Sequence, residues 1–118
     1  MSCLFNSMSY FFCQDSNTIR QKICNYLERG GTIIEGLDTK LILSFEQPNY
    51  IERMKNTNTW GGAIEIQAAC TIWNTKIIVY NIRDTKRSKI IFAPYNNINC
   101  VNCIHIAWSG GHYKPIKL

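Results

Sequence analysis

The chain has 118 residues and a formal net charge of +5, and 46% of its residues are hydrophobic and 12% aromatic. This length suits one domain, and this composition excludes an intrinsically disordered chain. The sequence has no apolar run long enough to span a membrane and no basic leader of a secretory signal peptide, so we expect a cytoplasmic protein without a membrane partner.

The first helix is predicted to begin at Cys3, near the start of the chain. Its apolar residues recur at helical spacing and are Leu4, Met8, Phe11 and Phe12. A thiol at a helix N-terminus faces free backbone N–H groups and the positive end of the helix dipole, and both favour the nucleophilic thiolate. The alternative interpretation is that Cys3 is a small buried apolar residue, as most free cysteines are.

Four more helices are predicted before residue 75. The second covers residues 18–28, with Ser16 or Asn17 as its cap and the glycine pair that begins at Gly30 as its end. Asp38 is expected to cap a short third helix. A fourth short helix is expected to open at the proline of position 48, and the fifth is a buried helix, rich in small residues, that follows the Trp-Gly-Gly segment.

The character of the sequence changes after residue 75, where β-branched and aromatic residues become frequent. Strands are predicted over residues 76–82, 89–92, 103–108 and 113–116. Helices first and strands afterwards predict an α+β fold, in which N-terminal helices pack on a small, mostly antiparallel C-terminal sheet.

The six cysteines are expected to be reduced, because no secretory signal accompanies them. Cys13, Cys24 and Cys70 lie within apolar helical patterns and are predicted to be core residues. The densest basic group is Arg83, Lys86, Arg87 and Lys89. It falls between two predicted strands and therefore indicates a solvated hairpin loop, so we expect no nucleic-acid partner.

His112 follows a Gly-Gly turn at a predicted strand end, where an imidazole can reach a neighbouring helix tip. A thiol and an imidazole that are far apart in sequence can meet in the fold and act as nucleophile and base. Cys3 and His112 are therefore the candidate catalytic pair. By itself this pairing is a weak signal, and the segments around the two residues add to it.

Three blocks of the sequence resemble the ovarian-tumour (OTU) domain cysteine proteases, a family of deubiquitinases. Residues 3–9 resemble the family's Asp-Gly-x-Cys-Leu-Phe segment at the head of the catalytic helix. Residues 50–54 and 60–69 resemble its Tyr-x-x-x-Met and Trp-Gly-Gly-x-x-Glu segments, and residues 104–108 and 111–116 resemble its histidine block. The order and spacing of these blocks agree over nearly the whole chain.

The resemblance implies a papain-like α+β OTU fold over residues 1–118 as one domain, and it implies isopeptidase chemistry on ubiquitin or a ubiquitin-like partner. Cys3 would attack the carbonyl of the modifier's C-terminal glycine, and His112 would move the protons. Backbone N–H groups around Cys3 would hold the oxyanion, and Trp60 would pack in the core or line the cleft. No cofactor or metal is implied, and a monomer is expected. The family has many viral members, and this Asn- and Ile-rich chain would suit such an origin.

Two positions depart from the family pattern. The family's Asp-Gly would place Gly at Met1 and Asp before it, so the domain is expected to lack its extreme N-terminal segment. Many members carry Asp or Asn two residues after the histidine, where this chain has Lys114, which cannot accept a hydrogen bond. The sequence therefore names no third catalytic group.

Two alternatives remain open at the level of sequence. One is a zinc module that uses Cys100, Cys103, His105 and His112, although their spacing matches no familiar zinc finger. The simpler interpretation of His105 is a hydrogen-bonded sheet residue. The other alternative is a catalytically weak or inactive ubiquitin-binding OTU-like protein, because a Cys–His pair without an orienting group loses much of its rate.

Overall fold

The computed structural model describes residues 2–83, 85–86, 88–94, 100 and 102–117. Within these residues, the helices are α1 (Cys3–Phe12), α2 (Ser16–Glu28), α3 (Thr39–Ser44), α4 (Tyr50–Met54) and α5 (Ala63–Ile72), and the strands are β1 (Thr75–Asn81), β2 (Lys89–Phe92), β3 (Asn102–Trp108) and β4 (Tyr113–Pro115). Helices therefore come before strands, as predicted. None of the helices in the described part of the chain is long and apolar enough to cross a bilayer.

The four strands form one sheet in the order β2-β1-β3-β4. β1 pairs with β2 and β3 pairs with β4 in antiparallel fashion, whereas the central pair of β1 and β3 is parallel. The mostly antiparallel sheet is thus confirmed. β2 runs back to the starting end of β1, and β3 starts at that same end on the other side of β1, so β1 and β3 run parallel.

One apolar core joins the helices to a single face of this sheet. Its members alternate along β1 and β3, as expected for strands with one face buried. The core side chains include Leu4, Phe5, Met8, Ile19, Ile23, Leu27, Ile66, Ile77, Val79, Ile104 and Ile106. Burial of a side chain of this size contributes about 1.5–3 kcal/mol, so the core anchors α1 and holds its first residue in place.

The helix ends agree with the sequence in one place and differ in two. Asp38 caps α3 as predicted, since its carboxylate accepts the N–H of Lys40 at 3.2 Å. The prediction that Ser16 or Asn17 caps α2 is wrong, because Asp15 takes this role and accepts the N–H of Thr18 at 3.1 Å. The fourth helix begins at Tyr50 rather than at the proline of position 48, because the intervening asparagine adopts a left-handed conformation.

All six cysteines are free thiols. Cys24 and Cys70 are fully buried, as predicted, and burial raises the pKa of Cys24 to about 11 and that of Cys70 to about 12. The prediction that Cys13 is a core residue is wrong, since its side chain is exposed. Cys13 follows the last helical residue of α1 with a φ of 56°, so helical periodicity no longer decides which way it faces.

Candidate active site

The head of α1 carries the first candidate residue, Cys3. The next two residues, Leu4 and Phe5, are fully buried, and this anchor leaves Cys3 half-buried at the helix N-terminus. The first N–H groups of a helix have no partner within the helix. Ser2 stands at the capping position, but its side chain does not cap α1.

The hydroxyl of Ser2 is engaged elsewhere. It donates to the carbonyl oxygen of Thr57 at 3.4 Å, and it accepts from Nη2 of Arg20 at 3.3 Å. Serine is among the best N-cap residues, so its diversion leaves the N–H groups at the head of α1 without a side-chain acceptor from this position. Such N–H groups are suitable donors for an oxyanion beside Cys3.

Arg20 is a site-supporting residue that the sequence reasoning missed. It is only 1% exposed, its Nη1 donates to the carbonyl oxygen of Met54 at 2.8 Å, and its guanidinium carbon lies 4.2 Å from the centre of the Phe5 ring. Burial lowers the pKa of Arg20, while the charges of Cys24 and Glu65 act against this effect. Arg20 lies one helical turn before Cys24, and this spacing, which puts both residues on the buried side of α2, could have predicted its burial.

The Trp-Gly-Gly segment is tied to α5 by a buried carboxylate. Glu65 is 1% exposed, accepts the N–H of Gly62 at 2.7 Å and accepts the hydroxyl of Tyr50 at 2.5 Å. Burial raises the pKa of Glu65, and the hydrogen bonds from Tyr50 and Gly62 partly offset this effect. Burial and the neighbouring Glu65 both raise the pKa of Tyr50, which therefore stays a hydrogen-bond donor.

Gly61 brings the same segment against the head of α1. A Cβ atom at this position would lie 2.8 Å from Cδ2 of Leu4 and 2.9 Å from Cζ of Phe5. A residue without a side chain is therefore required for this close approach. The preceding Trp60 is 53% exposed, so it is not a core residue, and its other predicted role, that of a cleft wall, stays a prediction.

His112 lies at the end of the turn that joins β3 to β4. The backbone N–H of Ser109 donates to the carbonyl oxygen of His112 at 3.0 Å and closes this turn. Gly110 adopts a φ of +105°, a conformation that favours glycine. His112 is exposed, and its imidazole makes no hydrogen bond to another described residue.

Cys3 is the first residue of α1, and His112 directly precedes β4, which packs against α1. Burial raises the pKa of Tyr113, and the charge of the Cys3 thiolate raises it further. A direct contact between the Cys3 sulfur and the His112 imidazole stays a prediction.

The residues of the proposed zinc set are not gathered at one point. Cys103 and His105 share a side of β3, as predicted, with Sγ and Nε2 3.9 Å apart. Nδ1 of His105 pairs with the hydroxyl of Tyr80 at 2.9 Å, which confirms His105 as a hydrogen-bonded sheet residue. In the part of the chain that the structure describes, no group of three or more His, Cys, Asp or Glu residues could hold a metal ion.

An apolar pocket of about 220 Å³ lies between α5 and the sheet, beside these segments. Its lining includes Ala63, Ile66, Val79, Ile90, Phe92, Trp108 and Tyr113. Ala63 directly follows the Trp-Gly-Gly segment, and Tyr113 directly follows His112. The pocket is thus lined by the residue that follows each of these two segments of the candidate site.

The described elements form an α+β domain with a free thiol at the head of its first helix. The sequence model of the family described as "OTU-like cysteine protease" matches residues 2–114. The chain belongs to this OTU family.

Individual relatives agree with the family match. The chain is 25% identical to the Arabidopsis thaliana protein "OVARIAN TUMOR DOMAIN-containing deubiquitinating enzyme 9" over 98% of its own length and 32% of the plant protein. It is 26% identical to an OTU domain solved in complex with ubiquitin, with a TM-score of 0.75 over 97% of this chain and 62% of that one. The chain thus spans about a third of the plant protein and less than two thirds of the ubiquitin-bound one.

More distant solved structures share the fold. The viral OTU protease of Dera Ghazi Khan virus is 19% identical, with a TM-score of 0.68 over 98% of this chain and 76% of that one. An OTU deubiquitinase from Wolbachia pipientis wMel, solved bound to ubiquitin, is 14% identical, with a TM-score of 0.62 over 98% of this chain and 89% of that one. At these identities the likeness establishes the OTU fold alone.

Proposed function

We propose that this protein is a cysteine-dependent deubiquitinase, an isopeptidase that removes ubiquitin or a ubiquitin-like modifier from lysine side chains. The observation that carries the proposal is the position of Cys3 at the uncapped head of α1, in a chain of a cysteine protease family. Supporting evidence comes from the OTU domain, 26% identical to this chain, that was solved with ubiquitin bound.

In this mechanism, His112 takes the thiol proton and the Cys3 thiolate attacks the carbonyl carbon of the modifier's C-terminal glycine. The N–H groups at the head of α1 stabilise the resulting oxyanion. When the tetrahedral intermediate collapses, His112 protonates the leaving lysine amine. Water then attacks the thioester with His112 as base, which frees the modifier and restores the thiol.

The pocket between α5 and the sheet suits an apolar side chain of the modifier's extended C-terminal tail. Its walls are mainly apolar, with Asn81 and Ser88 as polar members, and they include Ala63 and Tyr113, which follow the Trp-Gly-Gly segment and His112 in the chain. Burial of one apolar side chain there would contribute about 1.5–3 kcal/mol to binding.

A second candidate function is that of a weak or inactive ubiquitin-binding protein. Lys114 favours it, because this exposed cation occupies the position of the family's hydrogen-bond acceptor. Among the described residues, none forms a hydrogen bond with the His112 imidazole. Such a protein would bind the modifier and leave its isopeptide bond intact.

We propose that the protein acts as a monomer in the cytoplasm, where its six free thiols would stay reduced. The viral origin stays a prediction, because the viral OTU proteases are similar to this chain only in fold.

A ubiquitin probe with a C-terminal electrophile tests the proposed activity. We expect the probe to label the wild-type protein and Cys103→Ala, a control that removes an exposed thiol next to an imidazole, but not Cys3→Ala. Hydrolysis of a fluorogenic ubiquitin C-terminal substrate should follow the same pattern. Binding of ubiquitin without labelling or hydrolysis would instead support the second candidate.

A further inference from the structure

We propose that Trp60 and Arg83 are positioning residues that clamp the glycine turn before His112 from two sides and so set the approach of the imidazole to Cys3. This inference rests on the proposed function. The two side chains are called the turn clamp below. They come from different parts of the fold, Trp60 from the loop before α5 and Arg83 from the hairpin between β1 and β2.

Arg83 forms one side of the clamp. A Cβ atom at Gly110 would lie 2.8 Å from Cδ of Arg83, 2.9 Å from Nη1 and 3.3 Å from Cζ, so the length of this side chain lies against the turn. The backbone N–H of Arg83 donates to Oδ1 of Asn81 at 3.0 Å, which fixes the start of the hairpin. Arg83, which the sequence placed in a solvated hairpin loop, therefore covers the turn before His112.

Trp60 forms the other side. A Cβ atom at Gly111 would lie 3.4 Å from Cη2 of Trp60 and 3.6 Å from Cζ3, which is ordinary van der Waals contact with the edge of the ring. Trp60 is itself held in place, because Gly61 packs on the first turn of α1 and Gly62 is bonded to Glu65. Trp60 therefore links α1, the helix that begins at Cys3, to the turn that precedes His112.

The turn needs such support because glycine loses more conformational freedom on ordering than any other residue. Two adjacent glycines precede His112, and the turn is closed by the backbone hydrogen bond from Ser109 to His112. Lys114 supplies no acceptor that could orient the imidazole. The clamp fixes the backbone of His112 instead, and so takes over part of the role of the third catalytic group.

The pH dependence of Cys3 alkylation by iodoacetamide tests the clamp, with modification at Cys3 followed by peptide mass spectrometry. An imidazole held beside the thiol lets Cys3 react at lower pH than a free thiol, so His112→Ala defines the profile without the pair. We expect Trp60→Ala and Arg83→Ala to move the profile toward that of His112→Ala. We expect kcat for the fluorogenic ubiquitin substrate to fall about tenfold while KM stays within about twofold.

Conservative variants separate positioning from folding. Trp60→Phe keeps an aromatic ring at the contact and Arg83→Met keeps the stem over Gly110, so both should recover most of the wild-type profile. Matched controls are Phe45→Ala, an 81% exposed aromatic residue outside the site, and Lys89→Ala, an exposed cation of the same hairpin. Thermal unfolding of each variant accompanies the kinetic measurements.

Wild-type alkylation profiles and wild-type kcat in folded Trp60→Ala and Arg83→Ala would overturn the clamp and leave the proposed function intact. If only unfolding temperatures changed, the two residues would be merely structural, which also overturns it. If Trp60→Ala does not fold, the clamp is tested by the alkylation profiles of Arg83→Ala and Arg83→Met alone. If the wild type and His112→Ala reacted alike at every pH, there would be no pair to position, and this distinct result would contradict the proposed function together with the clamp.

Discussion

At the scale of single residues, the hydroxyl of Ser2 decides what the head of α1 can bind. Its bonds to Arg20 and to the carbonyl oxygen of Thr57 hold it away from the helix. A helix N-terminus that lacks a cap is less stable, but its N–H groups remain available to a developing oxyanion. A side chain at position 2 that caps α1 would therefore stabilise the helix, but it would also occupy the N–H groups that the proposed chemistry at Cys3 uses.

Ser2→Asp should stabilise α1 and slow the proposed reaction. A carboxylate there accepts the free N–H groups and adds a negative charge where the oxyanion would form. We expect the free energy of unfolding to rise by about 0.5–1 kcal/mol and kcat to fall by about 10²-fold. Chemical denaturation and hydrolysis of the fluorogenic ubiquitin substrate measure the two effects. Ser2→Ala is the control and should keep most activity, so equal rates of the two variants would contradict the role given to these N–H groups.

Lys114→Asn should raise turnover severalfold. Strand alternation is expected to place positions 112 and 114 on one side, where the lysine ammonium disfavours the imidazolium and an amide oxygen could orient the ring. Lys89→Asn removes an exposed lysine from the opposite edge strand and should leave the rate unchanged. Rates are measured with the same fluorogenic substrate, with Cys3→Ala as the blank. Equal rates of wild type and Lys114→Asn would mean that another group already orients His112.

At the scale of elements, the segment between α4 and α5 joins the parts of the site. Gly61 packs against α1, Gly62 is bonded to Glu65 of α5, and Trp60 lies along Gly111 of the turn before β4. Three elements therefore meet at three consecutive residues. A displacement at this point would disturb both the head of α1 and the turn that carries His112.

Gly61→Ala should damage stability and activity together. Its methyl group would fall within 3 Å of Leu4 and Phe5, which are fully buried and cannot move aside freely. Overpacking of this kind costs about 1–3 kcal/mol of unfolding free energy. Gly62→Ala is the matched control, because nothing lies closer to its Cβ position than Oε1 of Glu65 at 4.0 Å. Chemical denaturation compares the two variants, and equal losses would contradict the close approach at Gly61.

At the scale of the whole molecule, the buried thiols make the fold sensitive to alkaline pH. The pKa values of Cys24 and Cys70, about 11 and about 12, lie above those of the same thiols in the unfolded chain. A folded-state pKa that is raised in this way stabilises the fold below the unfolded pKa, and this stabilisation is lost as the pH rises toward the folded pKa. The loss should therefore begin near pH 9, where unfolded thiols ionise.

We expect the free energy of unfolding to decrease between pH 9 and pH 10 by about 1 kcal/mol for each buried thiol. Urea denaturation at several pH values measures this slope. The double variant Cys24→Ala, Cys70→Ala should be less stable at pH 7 because of its cavities, yet should show a flatter dependence on pH. Cys13→Ala, which removes an exposed thiol, should keep the wild-type slope. A double variant with the wild-type slope would assign the effect to other groups, such as the partly buried Tyr50 and Tyr113.

Properties that depend on neighbours along the chain could be predicted from the amino-acid sequence. Periodicity predicted the helix that begins at Cys3, the change from helices to strands near residue 75 and the alternation of Ile104 and Ile106. These are local regularities, since an apolar residue must recur with the period of its element to stay on the buried face. The three motif blocks likewise carry the OTU family, which the match over residues 2–114 establishes.

Contacts between groups that are distant in the sequence became visible in the folded structure. Arg20 reaches Ser2, Arg83 covers Gly110, and β1 pairs with β3 in parallel, although nothing in the local sequence of these partners requires it. The physical reason is that such contacts depend on how packed elements are oriented, and a buried polar group takes whichever partner the packing brings within reach. The same holds for Cys13, which local periodicity assigned to the core and which the end of α1 turns toward solvent.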